Sequence, residues 1–118
     1  MWQQIMRVRQ RAIWSWEGFA HVWRTEGSLR QWMVANVVFG ILAFILPLSG
    51  GERGVLLMGG VLVMAAECMN TAVERIVDDI GPEKRDAAKQ AKDAGSAAVA
   101  VTAVGVGVAW VCVLIGLL

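Results

Sequence analysis

Four polar residues recur at helical intervals in the stretch Glu67-Cys68-Met69-Asn70-Thr71-Ala72-Val73-Glu74-Arg75-Ile76-Val77-Asp78: Glu67, Asn70, Glu74 and Asp78. At 100° per residue they fall within about 80° of one another on one helical face. Val73, Ile76, Val77 and Ile80 point in other directions. A carboxylate at membrane depth costs roughly 2.5–3.5 kcal/mol on insertion scales, so it calls for a partner or a task. Glu67 stands about 10 Å deeper along this helix than Glu74. Such a stripe suits metal-assisted transfer at a water boundary. Magnesium is held by a few carboxylates together with substrate phosphate oxygens, and Glu74 and Glu26 offer one carboxylate each. Glu67 is placed to orient or deprotonate an alcohol that cannot leave the lipid phase, which is general-base work. Phosphoryl transfer rests on positioning and charge neutralisation, and this arrangement supplies both. A plainer reading, a solvated helix end, serves equally for Asp78 and Asp79; it serves Glu67 poorly because of its depth.

Other chemistries have less support. Gly59-Gly60 is not followed by the Lys-Ser/Thr of a phosphate-cradling loop. Any nucleotide must be held by other means, and residues 81–93 supply Lys84, Arg85, Lys89 and Lys92 to face phosphates. His21 is the only histidine, which leaves zinc sites and histidine-centred catalysis poorly supported. Cys68 and Cys112 lie inside apolar runs and read as packing thiols rather than a disulfide. A net charge of +1 offers no basic face for a nucleic acid.

The elements that must position these residues are membrane helices. The 118 residues are 57% hydrophobic and 18% charged, a balance that points to one membrane domain over residues 1–118. Three segments are expected to cross: residues 31–48, 54–80 and 94–118, with Pro47 closing the first. Ser28 and Gln31 have the spacing of a capping box ahead of the first span. Gly50, Gly51 and Arg53 are expected to form the turn before the second. Residues 4–24 read as an amphipathic surface helix: Ile5, Val8, Ala12, Trp16, Phe19 and Trp23 share one side, and Arg7 and Arg11 project from the other. No small-residue cleavage pattern follows, so the first apolar run is expected to remain. Five Arg precede the first span, Arg53 alone occupies the first turn, and five Lys or Arg lie between Arg75 and Lys92. The positive-inside rule places the N-terminus and second loop in the cytoplasm and the C-terminus outside. Ala91, Gly95, Ala103 and Gly107 mark a face for close helix packing.

The stretch Glu67 to Asp78 resembles the signature of the prokaryotic diacylglycerol kinase family, which also includes undecaprenol kinases. The likeness continues through Ala91-Lys92-Asp93-Ala94-Gly95-Ser96-Ala97-Ala98, and upstream in Ser15-Trp16-Glu17-Gly18 and Glu26-Gly27-Ser28-Leu29-Arg30-Gln31. It implies an all-α integral membrane protein of the bacterial inner membrane, with three spans and a surface helix, assembled as a homotrimer with shared sites. It implies ATP as co-substrate, Mg2+ as cofactor and a lipid alcohol as acceptor. By position, Glu67 corresponds to the catalytic base, and Glu26 and Glu74 to metal-binding carboxylates that also face the nucleotide. Asn70, Arg7, Lys92 and Asp93 correspond to nucleotide or active-site contacts, and Glu83 and Arg85 to the loop that touches the nucleotide. Ser96 corresponds to a position near the lipid. Trp14 stands where a Tyr is often found beside the nucleotide. Arg30-Gln31 favours the diacylglycerol branch, while Trp32 departs from a Glu found in some diacylglycerol kinases.

The function expected on this basis is ATP- and Mg-dependent phosphorylation of diacylglycerol to phosphatidic acid at the cytoplasmic interface. Undecaprenol kinase is the near alternative. A small proton-coupled transporter would also need a membrane-embedded carboxylate such as Glu67, but not the second carboxylate or the Lys92-Asp93 pair. A non-enzymatic membrane subunit is the remaining alternative, and lipid-dependent ATP consumption separates the kinases from both.

Overall fold

Glu26 divides what would otherwise be one long N-terminal helix. Its backbone is extended, with φ −112° and ψ 114°, and it closes one helix while opening the next. In the computed structural model, which describes all 118 residues, four helices follow in order: α1 (Trp2–Thr25), α2 (Gly27–Ile45), α3 (Gly50–Ile80) and α4 (Asp86–Gly116). α2, α3 and α4 are each long and apolar enough to cross a membrane, which makes the chain an all-α integral membrane protein. With 31 residues each, α3 and α4 extend about 46 Å, well beyond a hydrocarbon core of about 30 Å. Their polar ends therefore project into the interface.

The helix ends differ from the sequence expectations in two places. α2 starts at Gly27, and Ser28 makes no capping hydrogen bond; its hydroxyl is directed across to α3 instead. The capping box belongs to α3: Glu52 N–H donates to Ser49 Oγ at 3.2 Å, and Ser49 N–H donates to Glu52 Oε2 at 2.8 Å. Gly50, Gly51 and Arg53 accordingly lie within the first turn of α3, and the connection is the stretch 46–49 ahead of them. Pro47 holds the preceding Leu46 extended, which stops α2. Arg53 then reaches back, donating from Nε to Ala43 O at 2.9 Å and from Nη2 to Leu48 O at 3.2 Å. Its guanidinium also lies 5.1 Å from the centre of the Phe44 ring. The only basic residue at this end thus serves as a C-terminal cap for α2.

α3 is the central helix. It runs antiparallel to α2, with Ser28 against Glu67 and Asn36 against Gly60. It also runs antiparallel to α4, with Gly59 against Val106, Asn70 against Gly95 and Asp78 against Lys92. A Cβ on Gly60 would overlap Asn36 Oδ1, so the absence of a side chain there sets how closely α2 and α3 approach. A small core of Ala43, Leu48, Leu56 and Trp110 closes the far end. Between α2, α3 and α4 runs an apolar cavity of about 230 Å3. Of the small-residue face, Gly95 packs on Asn70, and Ala103 and Gly107 line this cavity.

Only 12 of 118 residues are buried, so most of each span faces outward, toward lipid or further copies of the chain. Cys68 is half-buried and Cys112 exposed, both as free thiols; Cys112 is not the internal packing thiol expected. α1 buries no residue. Its N-terminal part, including Trp2, Ile5, Val8 and Trp16, is exposed, while Phe19, Val22 and Trp23 are half-buried near its join to α2.

Candidate active site

Antiparallel packing of α2 on α3 brings the first turn of one against the middle of the other. There Glu67 is 6% exposed, and the Ser28 hydroxyl donates a hydrogen bond to Glu67 Oε1. Oε2 has no hydrogen bond within the chain, so this buried carboxylate has one oxygen held and one available to a hydroxyl. One turn farther from the junction, Trp32 of α2 and Val63 of α3 begin the lining of the apolar cavity. The carboxylate therefore sits at the head of an apolar recess.

One turn toward the polar end, Asn70 is buried between α3 and α4. Its amide nitrogen donates to Glu74 Oε1 at 3.2 Å, and its Oδ1 is buried without a donor beside Gly95. A Cβ on Gly95 would overlap that oxygen, so glycine admits the Asn70 side chain into the α3–α4 contact. Asn70 in turn steadies Glu74, which is half-buried.

Glu26 is held from the side by Arg75. Arg75 Nη2 donates to Glu26 Oε1 at 3.1 Å and to Thr25 Oγ1 at 2.7 Å, and Nη1 lies 2.8 Å from His21 Nε2. Arg75 follows Glu74 on α3, so this contact draws the α1–α2 junction to the same level as Glu74.

At the polar end, residues 81–85 and the adjoining turns of α3 and α4 surround an open cleft of about 420 Å3. Asp78, Glu83, Arg85, Lys89, Lys92 and Asp93 are among its walls. Lys92 pairs with Asp78, and Lys89 with Asp93. These pairs are largely exposed, so they are weak and readily exchanged for an anionic group. Glu83, Lys84 and Arg85 make no ion pair.

The structure thus gathers Glu26, Glu67, Asn70 and Glu74 along α3, with Glu83, Arg85, Lys92 and Asp93 around the adjoining cleft. Arg7, Trp14, Arg30, Gln31 and Ser96 are exposed, and none has a side-chain hydrogen bond within the chain; of these, Arg30 lies beside Gly27, next to Glu26, and Ser96 follows Gly95, which packs on Asn70. Sequence reasoning missed Ser28, His21, Thr25 and Arg75 as parts of the site. Ser28 and Thr25 flank Glu26, and their hydroxyls were the available signal. Their partners on α3 are 39 and 50 residues away, which no local spacing reveals.

No set of three carboxylate, imidazole or thiol groups within the chain forms a closed metal cage. Glu26 and Glu74 are hard oxygen donors, each with one oxygen engaged by a neighbouring side chain and the other unbonded. Two such carboxylates suit magnesium, which takes few protein ligands and completes its shell with phosphate oxygens and water.

Fold and site together define a small membrane-embedded protein whose carboxylates step from membrane depth to its polar end. Residues 13–114 match the family described as prokaryotic diacylglycerol kinase. The chain is 35% identical over 112 residues to a diacylglycerol kinase of Pseudomonas aeruginosa, covering 95% of this chain and 91% of the relative. It is 35% identical over 109 residues to that of Escherichia coli K12, covering 92% and 88%. With the Haemophilus influenzae diacylglycerol kinase it shares 33% over 96 residues, 81% of each chain. The chain belongs to the prokaryotic diacylglycerol kinase family and is an enzyme of the lipid-kinase class, which sets aside the transporter and the non-enzymatic subunit.

Proposed function

We propose that the chain transfers the γ-phosphoryl group of ATP to the free hydroxyl of diacylglycerol, forming phosphatidic acid and ADP. The observation that carries this reading is the Ser28–Glu67 pair at the head of the apolar cavity. Trp32, Phe39, Val63, Val106 and Trp110 offer that recess to a hydrocarbon chain, with the alcohol left at the carboxylate. The relatives named as diacylglycerol kinases support diacylglycerol over undecaprenol.

In this reading Ser28 fixes Glu67 through Oε1, and Oε2 accepts the hydroxyl proton. The alcohol oxygen forms a bond to the γ-phosphorus as the bond to the β–γ bridging oxygen breaks, and ADP leaves with that electron pair. Glu26 and Glu74 would hold Mg2+, which would supply charge neutralisation to the phosphate groups. Asn70 keeps Glu74 in place. Lys92, with Arg85 and its neighbours in the cleft, exchanges carboxylate partners for phosphate oxygens, and Glu83 and Asp93 border the nucleotide. Arg30, Gln31 and Ser96 face the lipid side. Arg7 and Trp14 reach the nucleotide from another copy of the chain, in a homotrimer of the bacterial inner membrane with the site end in the cytoplasm.

The test uses purified protein in lipid nanodiscs with radiolabelled ATP and magnesium, supplied with diacylglycerol or undecaprenol in parallel. Label is expected on diacylglycerol, as phosphatidic acid, and absent when magnesium is chelated. Label transferred only to undecaprenol, or ATP consumed without added lipid, would overturn the proposal.

A further inference from the structure

Arg75 is the one side chain that ties the surface helix to the central span at the level of the site. Its three partners, His21, Thr25 and Glu26, all come from the last turns of α1 and its junction with α2. Glu26 belongs to neither helix, and its side chain receives no other hydrogen bond within the chain. Without Arg75, a carboxylate on an extended residue between two helices is free to sample several rotamers. With it, Oε1 is engaged and Oε2 remains open.

We infer that Arg75 is a positioning residue for the metal-binding carboxylate, fixing Glu26 at the level of Glu74 so that a divalent cation meets a carboxylate already in place. The inference rests on the reading of Glu26 as a ligand given above. Ligating carboxylates are characteristically held by hydrogen bonds from a surrounding layer of residues, and losing such a partner costs 10–100-fold in metal affinity. A guanidinium suits this task because it is always charged and offers several donors in a planar fork. That fork lets Arg75 hold Glu26 and, through Thr25 and His21, anchor itself at the same time. Its positive charge opposes a bare cation. The cation that matters arrives with a triphosphate, however, and that complex is anionic, so the local field favours it.

The opposite role, competition between Arg75 and the cation for Glu26, predicts the opposite sign and is what the experiment separates. Mn2+ binding in the presence of a non-hydrolysable ATP analogue is followed by electron paramagnetic resonance, using the full chain in nanodiscs. Wild type is compared with Arg75→Gln, Arg75→Lys and Glu26→Gln, each checked for intact assembly. Arg75→Gln is expected to weaken Mn2+ binding about tenfold. Arg75→Lys, which keeps the charge but offers a single nitrogen, is expected to recover part of that loss. Partial rescue distinguishes positioning from disruption of the fold, and the Lys variant carries the test if the Gln variant does not assemble. Unchanged or tighter binding in Arg75→Gln, with Glu26→Gln impaired, would overturn the role of Arg75 alone. Unchanged binding in Glu26→Gln would overturn the metal reading of Glu26 and this inference with it.

Discussion

At the scale of single residues, Glu67 and Ser28 divide one task. Glu67 has the membrane depth, the burial and the open oxygen that proton acceptance from a lipid alcohol requires, and Ser28 sets which oxygen stays open. Glu67→Gln nearly preserves shape and hydrogen bonding but cannot take up a proton as a carboxylate does. It is expected to slow phosphoryl transfer about 10²–10⁴-fold in a single-turnover assay, while binding of an ATP analogue stays near wild type. A wild-type rate in the folded variant would make Glu67 structural and move attention to Asp93. Ser28→Ala leaves the base present but free to turn. Its expected signature is kcat reduced about tenfold with the lipid KM little changed, partly restored by Ser28→Thr, which keeps the hydroxyl. Equal loss in the Thr and Ala variants would show that the hydroxyl is not what matters.

At the scale of elements, close approach of α2 to α3 places Ser28 on Glu67, and Gly60 sets that approach. Asn36 Nδ2 donates to Gly60 O at 3.0 Å, and its Oδ1 fills the space where a Cβ would stand. Gly60→Ala is therefore expected to destabilise the assembly by about 1–3 kcal/mol, read as a lowered Tm in detergent. Asn36→Ala, combined with it, removes the obstructing amide and is expected to recover part of the loss. No recovery would mean that Gly60 is needed for something other than this contact. The helices themselves were legible: apolar runs interrupted by Pro47 and by residues 81–85 show three spans, and the 3.6-residue period shows the stripe of Glu67, Asn70, Glu74 and Asp78. What the stripe meets was not. A face about 80° wide is shared between two neighbours. Glu67 turns to α2 while Asn70 turns to α4, and nothing within residues 67–78 says which helix flanks which side. Arg75 lies off the stripe and looked like one more basic residue of the loop; its partners are up to 54 residues away. The Ser49–Glu52 capping box was readable from spacing alone, yet Ser28 and Gln31 carry the same pattern, and only packing decides between them.

At the scale of the whole molecule, α1 leads away from Glu26 toward its N-terminus. Along the helix, Arg7 is about 28 Å and Trp14 about 18 Å from Glu26, and both are exposed. Neither reaches the Glu26–Glu67 region of its own chain, so a contact from either residue to the groups there would have to come from a neighbouring copy. The basic residues also predict which side that assembly faces. With Cys68 and Cys112 replaced by alanine, a cysteine near Glu83 is expected to be labelled from the cytoplasm and one near Gly51 from the opposite side; reversal would move the site away from cellular ATP. Sharing of sites is tested by mixing chains. Let every site combine Glu67 of one copy with Arg7 of the next, and let Glu67→Gln and Arg7→Ala chains assemble at random in equal amounts. Each site then has an even chance of an intact Glu67 and, independently, an even chance of an intact Arg7. About a quarter of the sites become complete in the closed ring, although neither variant forms any alone. The expected result is activity in co-assembled chains well above the average of the two homo-oligomers, and no such gain when the two are assembled separately and then combined. If both residues served the site of their own chain, each mixed site would still lack one of them. The mixture would then stay at the average, and α1 would have to fold back over its own α3.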